Sequence, residues 1–273
     1  MAQGFVEKVR VQTLARPARV IALSAFAVYT LGIAYTILCH VLRVPPPHWL
    51  VQFDTFAFFA FALAHATEQL GARATFVFLA LTFAISFAFE TVGVLTGAIY
   101  GAYYYTHRLG LKLGVVPIII PLAWFMMMYA SYTVVAIIAS GTRRVSSAWL
   151  ALLGALAMTA WDLGMDPQMA AAQMWVWVDG GAYFGVPIQN FIGWVATTFC
   201  IFWLFQIFAQ RQSPRELKFD NAFALLPVAA YAIQGASTVA IGVMNNQPEP
   251  SLVAFFAMGA FLFSAITRVL ATR

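Results

Sequence analysis

Long apolar runs, each near the roughly 20 residues needed to cross a bilayer, recur along this chain at 18–42, 49–70, 75–100, 116–140, 145–163, 187–209, 220–243 and 251–270. They predict an all-α fold: a polytopic membrane helix bundle of about eight transmembrane helices in a single membrane domain, 1–273. One stretch breaks the rhythm. WDLGMDPQMAAAQMWVWVDGGAYFGVPIQNFIGW, residues 161–194, carries three carboxylates and no Lys or Arg. Asp166 precedes Pro167, which disfavours helix at Asp166 and suits the first position of a new helix. Asp166 therefore reads as an N-cap, with a short interfacial or re-entrant helix near 167–177 behind it. Trp175 and Trp177 fit an interfacial belt, and Asp179-Gly180-Gly181 reads as a turn before the sixth span.

Composition agrees with the runs. The chain is 62% hydrophobic and 9% charged, with a mean hydropathy of +0.82, which places it among membrane proteins. Cytoplasmic loops hold an excess of Lys and Arg, so the basic residues orient the bundle. With both termini inside, Lys8, Arg10, Arg16, Arg19, Arg73, Arg143, Arg144, Arg211, Arg215, Lys218, Arg268 and Arg273 face the cytoplasm, 12 of 15. Only Arg43, Arg108 and Lys112 fall outside. The net charge of +5 then reflects topology and contact with anionic lipid, and no nucleic-acid partner is expected. Cys39 and Cys200 lie inside spans as small apolar residues. The N-terminal segment reads as a cytoplasmic tail ahead of an uncleaved first helix, and residues 211–221 as a solvated inner joint.

The ten acidic residues can be sorted completely. Glu7, Glu216, Asp220 and Glu249 lie in tails or loops, and Asp54 and Glu68 near the ends of the second span, where headgroups or Arg73 account for them. Glu90 differs, because it lies well inside a span with no cation within several residues, and an intramembrane ionisable group is a functional candidate by default. Gly93, Gly97 and Gly101 follow it as a small-residue stripe that admits a close neighbour, either a packed helix or a ligand. Asp162, at the outer end of the fifth span, falls at the same face as Glu90. His40, His48, His65 and His107 show no metal-binding clustering, no G-x-G dinucleotide fingerprint occurs, and Lys8, Lys112 and Lys218 all lie outside the spans. Acid chemistry without a metal or other cofactor is the expectation.

The segments FETVGVLTGAIYGAYYYTHRLGLKLGVVPIIIPLAWFMM and 161–194 together resemble the integral-membrane carotenoid biosynthesis proteins, whose members include bisanhydrobacterioruberin hydratase and γ-carotene hydratase. The resemblance covers residues 85–205, in the joint order E-x-x-G-x-x-x-G-x-x-x-G-x-Y-x-Y, D-x-x-x-D-P, W-x-W, G-x-Y-F-G-V-P and N-F-x-G-W. It implies addition of water across the terminal double bond of a long acyclic carotenoid, leaving a tertiary alcohol. It also implies a prokaryotic cytoplasmic membrane, lipid contacts and other carotenoid-pathway membrane enzymes as neighbours.

Such hydration needs a proton at the less substituted alkene carbon, then water at the tertiary cation. Glu90 is the expected acid and Asp162 the expected base, with Asp166 as substitute. Asn190 would position water, and Tyr103, Tyr105, Trp161, Trp175 and Tyr183 would face the cation. Gly93 and Gly97 would let substrate approach. Three alternatives remain at this point: a cofactor-free carotenoid cyclase, a prenyltransferase using Asp162 and Asp166 to hold Mg²⁺ and a diphosphate, and a proton-coupled transporter built on Glu90.

Overall fold

The computed structural model describes residues 16–142, 145–211, 219 and 221–271. Among them are eight helices long and apolar enough to cross a membrane: α1 (Arg16–Val41), α2 (Leu50–Leu70), α3 (Ala72–Thr96), α4 (Ile119–Ala139), α5 (Ser147–Ala171), α6 (Ile188–Arg211), α7 (Leu226–Met244) and α8 (Pro248–Ala271). The N-terminal tail, Glu7, Arg143, Arg144, Glu216, Asp220 and most of the 211–221 joint lie outside the described residues. Helices α4 and α5 are buried over most of their length, while α1 and α8 expose most of theirs. The bundle therefore has a protein-packed centre and a rim of apolar side chains suited to lipid.

The expected short helix at 167–177 does not form. Helix α5 runs through Asp166 and Pro167 to Ala171, so Asp166 is an interior helical residue and not an N-cap. A proline inside a helix leaves the carbonyl four residues earlier without its N–H donor. Here that carbonyl is Leu163 O, and the Tyr183 hydroxyl donates to it at 2.9 Å. This external donor replaces the lost backbone bond and lets the helix pass the proline.

Beyond α5, residues Trp175–Trp177 form a strand, β4, paired antiparallel with β1 (Tyr103–Tyr105). The register sets Tyr103 opposite Trp177 and Tyr105 opposite Trp175. Alternate residues of a strand share a face, so these four aromatics form one inward face. A second small ribbon pairs β2 (Lys112–Leu113) with β3 (Val116–Pro117) just before α4. The two tryptophans are thus buried on the inward face of the ribbon and are no interfacial belt. The glycine stripe is also broken: Gly93 is helical, but Gly97 terminates α3 in a left-handed conformation with φ 69°.

Candidate functional site

The inward face of the β1–β4 ribbon ends on two carboxyls. Tyr103 and Tyr105 donate their hydroxyls to Glu90 Oε2 at 2.5 and 2.7 Å, and Trp124 Nε1 of α4 donates to Oε1 at 3.1 Å. Burial first, and the charge of Glu90 second, push both phenols well above the ordinary tyrosine range. They remain protonated donors at any working pH. Gly93, one turn beyond Glu90, makes room for this arrangement: a Cβ there would lie 2.7 Å from the Tyr100 ring and 3.3 Å from the Tyr103 hydroxyl.

The other half of the face serves Asp166. Trp175 and Trp177 donate their indole N–H groups to Asp166 Oδ1 at 2.8 and 3.0 Å. Asn190, at the start of α6, uses its amide nitrogen to bridge Asp166 Oδ2 (2.8 Å) and Asp162 Oδ2 (2.9 Å). Asp162 and Asp166 stand four residues apart on one face of α5, and both are buried. Asp162 Oδ1 has no hydrogen-bond partner among the described residues. Among the described residues, the donors to these carboxyls are all neutral; the nearby Lys112 donates to the Tyr105 carbonyl at 2.5 Å.

All of these carboxyl-binding side chains except Asp162 itself border a cavity of about 190 Å³. Glu90, Asp166, Asn190, Tyr103, Tyr105, Trp161, Trp175 and Trp177 line it, together with Trp124, Trp194 and apolar residues of α4 and α5. Among the described residues, no Lys, Arg or His lies on its wall. Trp124 stacks on Trp194 at 4.3 Å between ring centroids, and Trp161 meets Trp194 edge-on at 6.1 Å. The Trp161 Nε1 hydrogen has no acceptor among the described residues. Of the sequence-derived candidates, Asp162, Gly93, Gly97 and Tyr183 do not line the cavity. Asp162 stands behind Asn190, Gly93 packs on Tyr100, Gly97 ends a helix, and Tyr183 repairs α5.

Asp54 was expected at the headgroups, and the structure corrects this. It is 8% exposed and lines the same cavity from α2, at the α1–α7 side. Its place early in a span, one turn from the helix start, suggested solvent; the close approach of α1 at Gly32 covers it instead.

A family model described as "Carotenoid biosynthesis protein" matches residues 50–261. The chain belongs to this family. It is also 30% identical over 187 residues to the bisanhydrobacterioruberin hydratase of Haloarcula japonica, a match covering 68% of this chain and 62% of that relative. No solved structure matches the chain. The family match spans Asp54, Glu90, Asp162, Asp166 and Asn190, whereas α1 falls outside it. In this carotenoid biosynthesis protein the ribbon supplies only neutral donors. N–H groups aimed at both Asp166 oxygens oppose a cation there, so the D-x-x-x-D pair is ill suited to a Mg²⁺-diphosphate.

Proposed function

We propose that this multi-pass membrane protein is a carotenoid hydratase of a prokaryotic cytoplasmic membrane, adding water to the terminal double bond of an acyclic carotenoid end group. The observation that carries the reading is the pair of buried carboxyls, Glu90 and Asp166, on one apolar cavity wall without a cation. The hydratase named among its relatives supports the same chemistry.

Glu90 is the proton donor. Its partners on Oε2 are phenols, which accept as well as donate, so a proton can be taken in or given up there without breaking the network. Indoles only donate, so Asp166 Oδ1 is a fixed acceptor, and Asp166 faces the developing positive charge. Transfer of the Glu90 proton to the less substituted alkene carbon converts the π bond into a C–H bond and leaves a tertiary cation. The indole faces of Trp124, Trp161 and Trp194 stabilise that cation by roughly 0.5 to 2 kcal/mol each. A water lone pair then forms the C–O bond. The proton lost from that water goes to Asp166 or Glu90, so the carboxyl pair is restored and the net change is one water added.

Both Asn190 amide hydrogens are engaged by carboxylates, leaving its carbonyl oxygen to accept from the attacking water. The unpartnered Trp161 N–H can donate to the oxygen of that water. Asp166 replaces Asp162 as the expected base because Asp166 reaches the cavity. Asp162 then acts through Asn190, as a positioning residue.

The test is expression in a membrane that accumulates an acyclic carotene, with mass analysis of the pigment in isotopically labelled water. The expected product gains one water whose oxygen comes from the solvent. Glu90→Gln and Asp166→Asn each abolish it at unchanged protein level, while Asp162→Asn lowers kcat without abolishing turnover. Ring closure with no change of mass would replace hydration by cyclisation.

A further inference from the structure

The cavity is too small to enclose a whole carotenoid. About 190 Å³ is below the roughly 300 Å³ at which pockets for drug-sized ligands begin, and a carotenoid is longer than such ligands. An end group fits, so the polyene must leave through a wall. The cavity residues Trp124, Trp161, Met165 and Trp194 of α4, α5 and α6 are buried, which closes that side. On the other side Ile33 and Thr36 of α1 and Gln234 and Ile241 of α7 line the cavity while only partly buried, and α1 exposes most of its length.

Two polar bridges frame this thinner wall. The Tyr29 hydroxyl donates to Gln234 Oε1 at 2.9 Å, and nearer the outer end Asn245 Nδ2 meets His40 Nε2 at 3.4 Å. His40 Nδ1 donates to Thr36 O at 2.8 Å, so Nε2 is the acceptor of the ring. Each bridge joins residues 205 positions apart, so α1 and α7 run parallel and in step. Between the bridges lie about three helical turns, on the order of 16 Å. The hydroxyls of Thr36, Ser237 and Thr238 in this interval bond within their own helices or to α2, and among the described residues no side-chain hydrogen bond crosses from α1 to α7 there.

Helix α1 is keyed to α2 instead. A Cβ on Gly32 would lie 1.8 Å from Asp54 Oδ1, and Thr36 meets Asp54 Oδ2 at 3.3 Å. It packs chiefly on α2 and more lightly on α7, so the seam with α7 is the joint that parts most readily.

We propose that the α1–α7 seam, between the Tyr29–Gln234 and His40–Asn245 bridges, is the lateral opening through which the carotenoid enters from the bilayer, and in which its polyene lies while the end group occupies the cavity. This rests on reading the cavity as a carotenoid end-group site. The occupant is a rod-like apolar chain, matched by the side chains of Ile33 and Ile241. Exposed Leu31, Tyr35 and Val243 flank the seam on the lipid side, so the chain passes from hydrocarbon to protein without crossing water.

The experiment uses the full chain in lipid nanodiscs, with Cys39 and Cys200 replaced by Ala and with Ile33→Cys and Ile241→Cys tied across the seam by a linker that a reducing agent cleaves. Vesicles supply an acyclic tetraterpene carotene, and uptake is read as the rate at which the polyene quenches tryptophan fluorescence, which requires no turnover. Tying the seam is expected to slow uptake roughly tenfold or more, because entry then needs a motion that the linker forbids. Cleaving the linker restores uptake, so each sample is its own control for folding. Tyr29→Phe, which removes one bridge and keeps the ring, should take up carotene several-fold faster. Equal uptake by the tied and cleaved forms would overturn the proposal, and so would unchanged uptake in Tyr29→Phe, an arm that needs no added cysteine. Uptake governed by the seam with no water added to the carotene would instead sink the hydratase reading and leave the opening standing.

Discussion

Replacing Tyr103 and Tyr105 by Phe, singly and together, tests whether the ribbon holds Glu90. Both hydroxyls address the same oxygen, Glu90 Oε2, at 2.5 and 2.7 Å, and Glu90 is 4% exposed. Each single change removes one donor, keeps the ring and leaves Oε2 with the other hydroxyl. The cost should be near 1.5 kcal/mol, the upper end for a hydrogen bond between neutral groups. The double change leaves Oε2 buried with no donor at all, which adds the desolvation cost of an unsatisfied acceptor, so its total should reach about 4 to 5 kcal/mol. The excess over the summed singles, about 1 to 2 kcal/mol, is the coupling. Unfolding in nanodiscs measures the stability cycle, and water incorporation into the carotenoid gives its catalytic counterpart. Singles that cost nothing, or a double equal to their sum within about 0.5 kcal/mol, would show that the phenols do not share Glu90.

Other outcomes follow from the same contacts. Tyr183→Phe should destabilise by about 1 to 3 kcal/mol through the orphaned Leu163 carbonyl, and much less in a Pro167→Ala background, where a backbone N–H is restored; the two variants and their combination measure this. Asn190→Leu should lower stability and turnover together, since both bridged carboxylates lose their common donor, whereas Asn190→Asp should fare worse by adding a third acid. Alkaline pH should destabilise the protein. Burial first, and Asp162 second, push Tyr183 up to about 12, against an unfolded value of about 10. Its contribution is therefore present below pH of about 10 and fades as pH rises through about 12, and unfolding midpoints against pH should be flatter in Tyr183→Phe.

The helices were legible because membrane length and hydropathy constrain them independently of tertiary detail: eight helices long and apolar enough to cross a membrane stand among the described residues. The error at Pro167 has a definite origin. Local rules read Asp-Pro as a helix start, but Tyr183, 20 residues away, supplies the donor that lets the helix continue. That partner is not a local property of the sequence. The ribbon, by contrast, left a signal that the helical reading concealed: Y-x-Y and W-x-W are period-2 aromatic patterns, and the two segments pair with each other. Glu90 was legible as an intramembrane acid. Asp54 was not, because its burial depends on α1 approaching through Gly32, a contact that neither helix announces alone.

The ribbon explains why the acidic stretch carries no cation. On the proposed hydration, a lysine or arginine beside Asp166 would bring a full positive charge to the wall where the carbocation forms, and would repel it. Indole and phenol donors hold the same carboxyls with fixed geometry while adding no net charge, and the same residues line the cavity. A long helix could present such groups only at intervals of three or four residues, all on rotatable side chains. The antiparallel pair instead sets two tyrosines against two tryptophans in register, so that one backbone ladder fixes the donors of both carboxyls at once. Positioning of Glu90 and Asp166 is thereby coupled, and a change that shifts β1 against β4 should disturb both acids together.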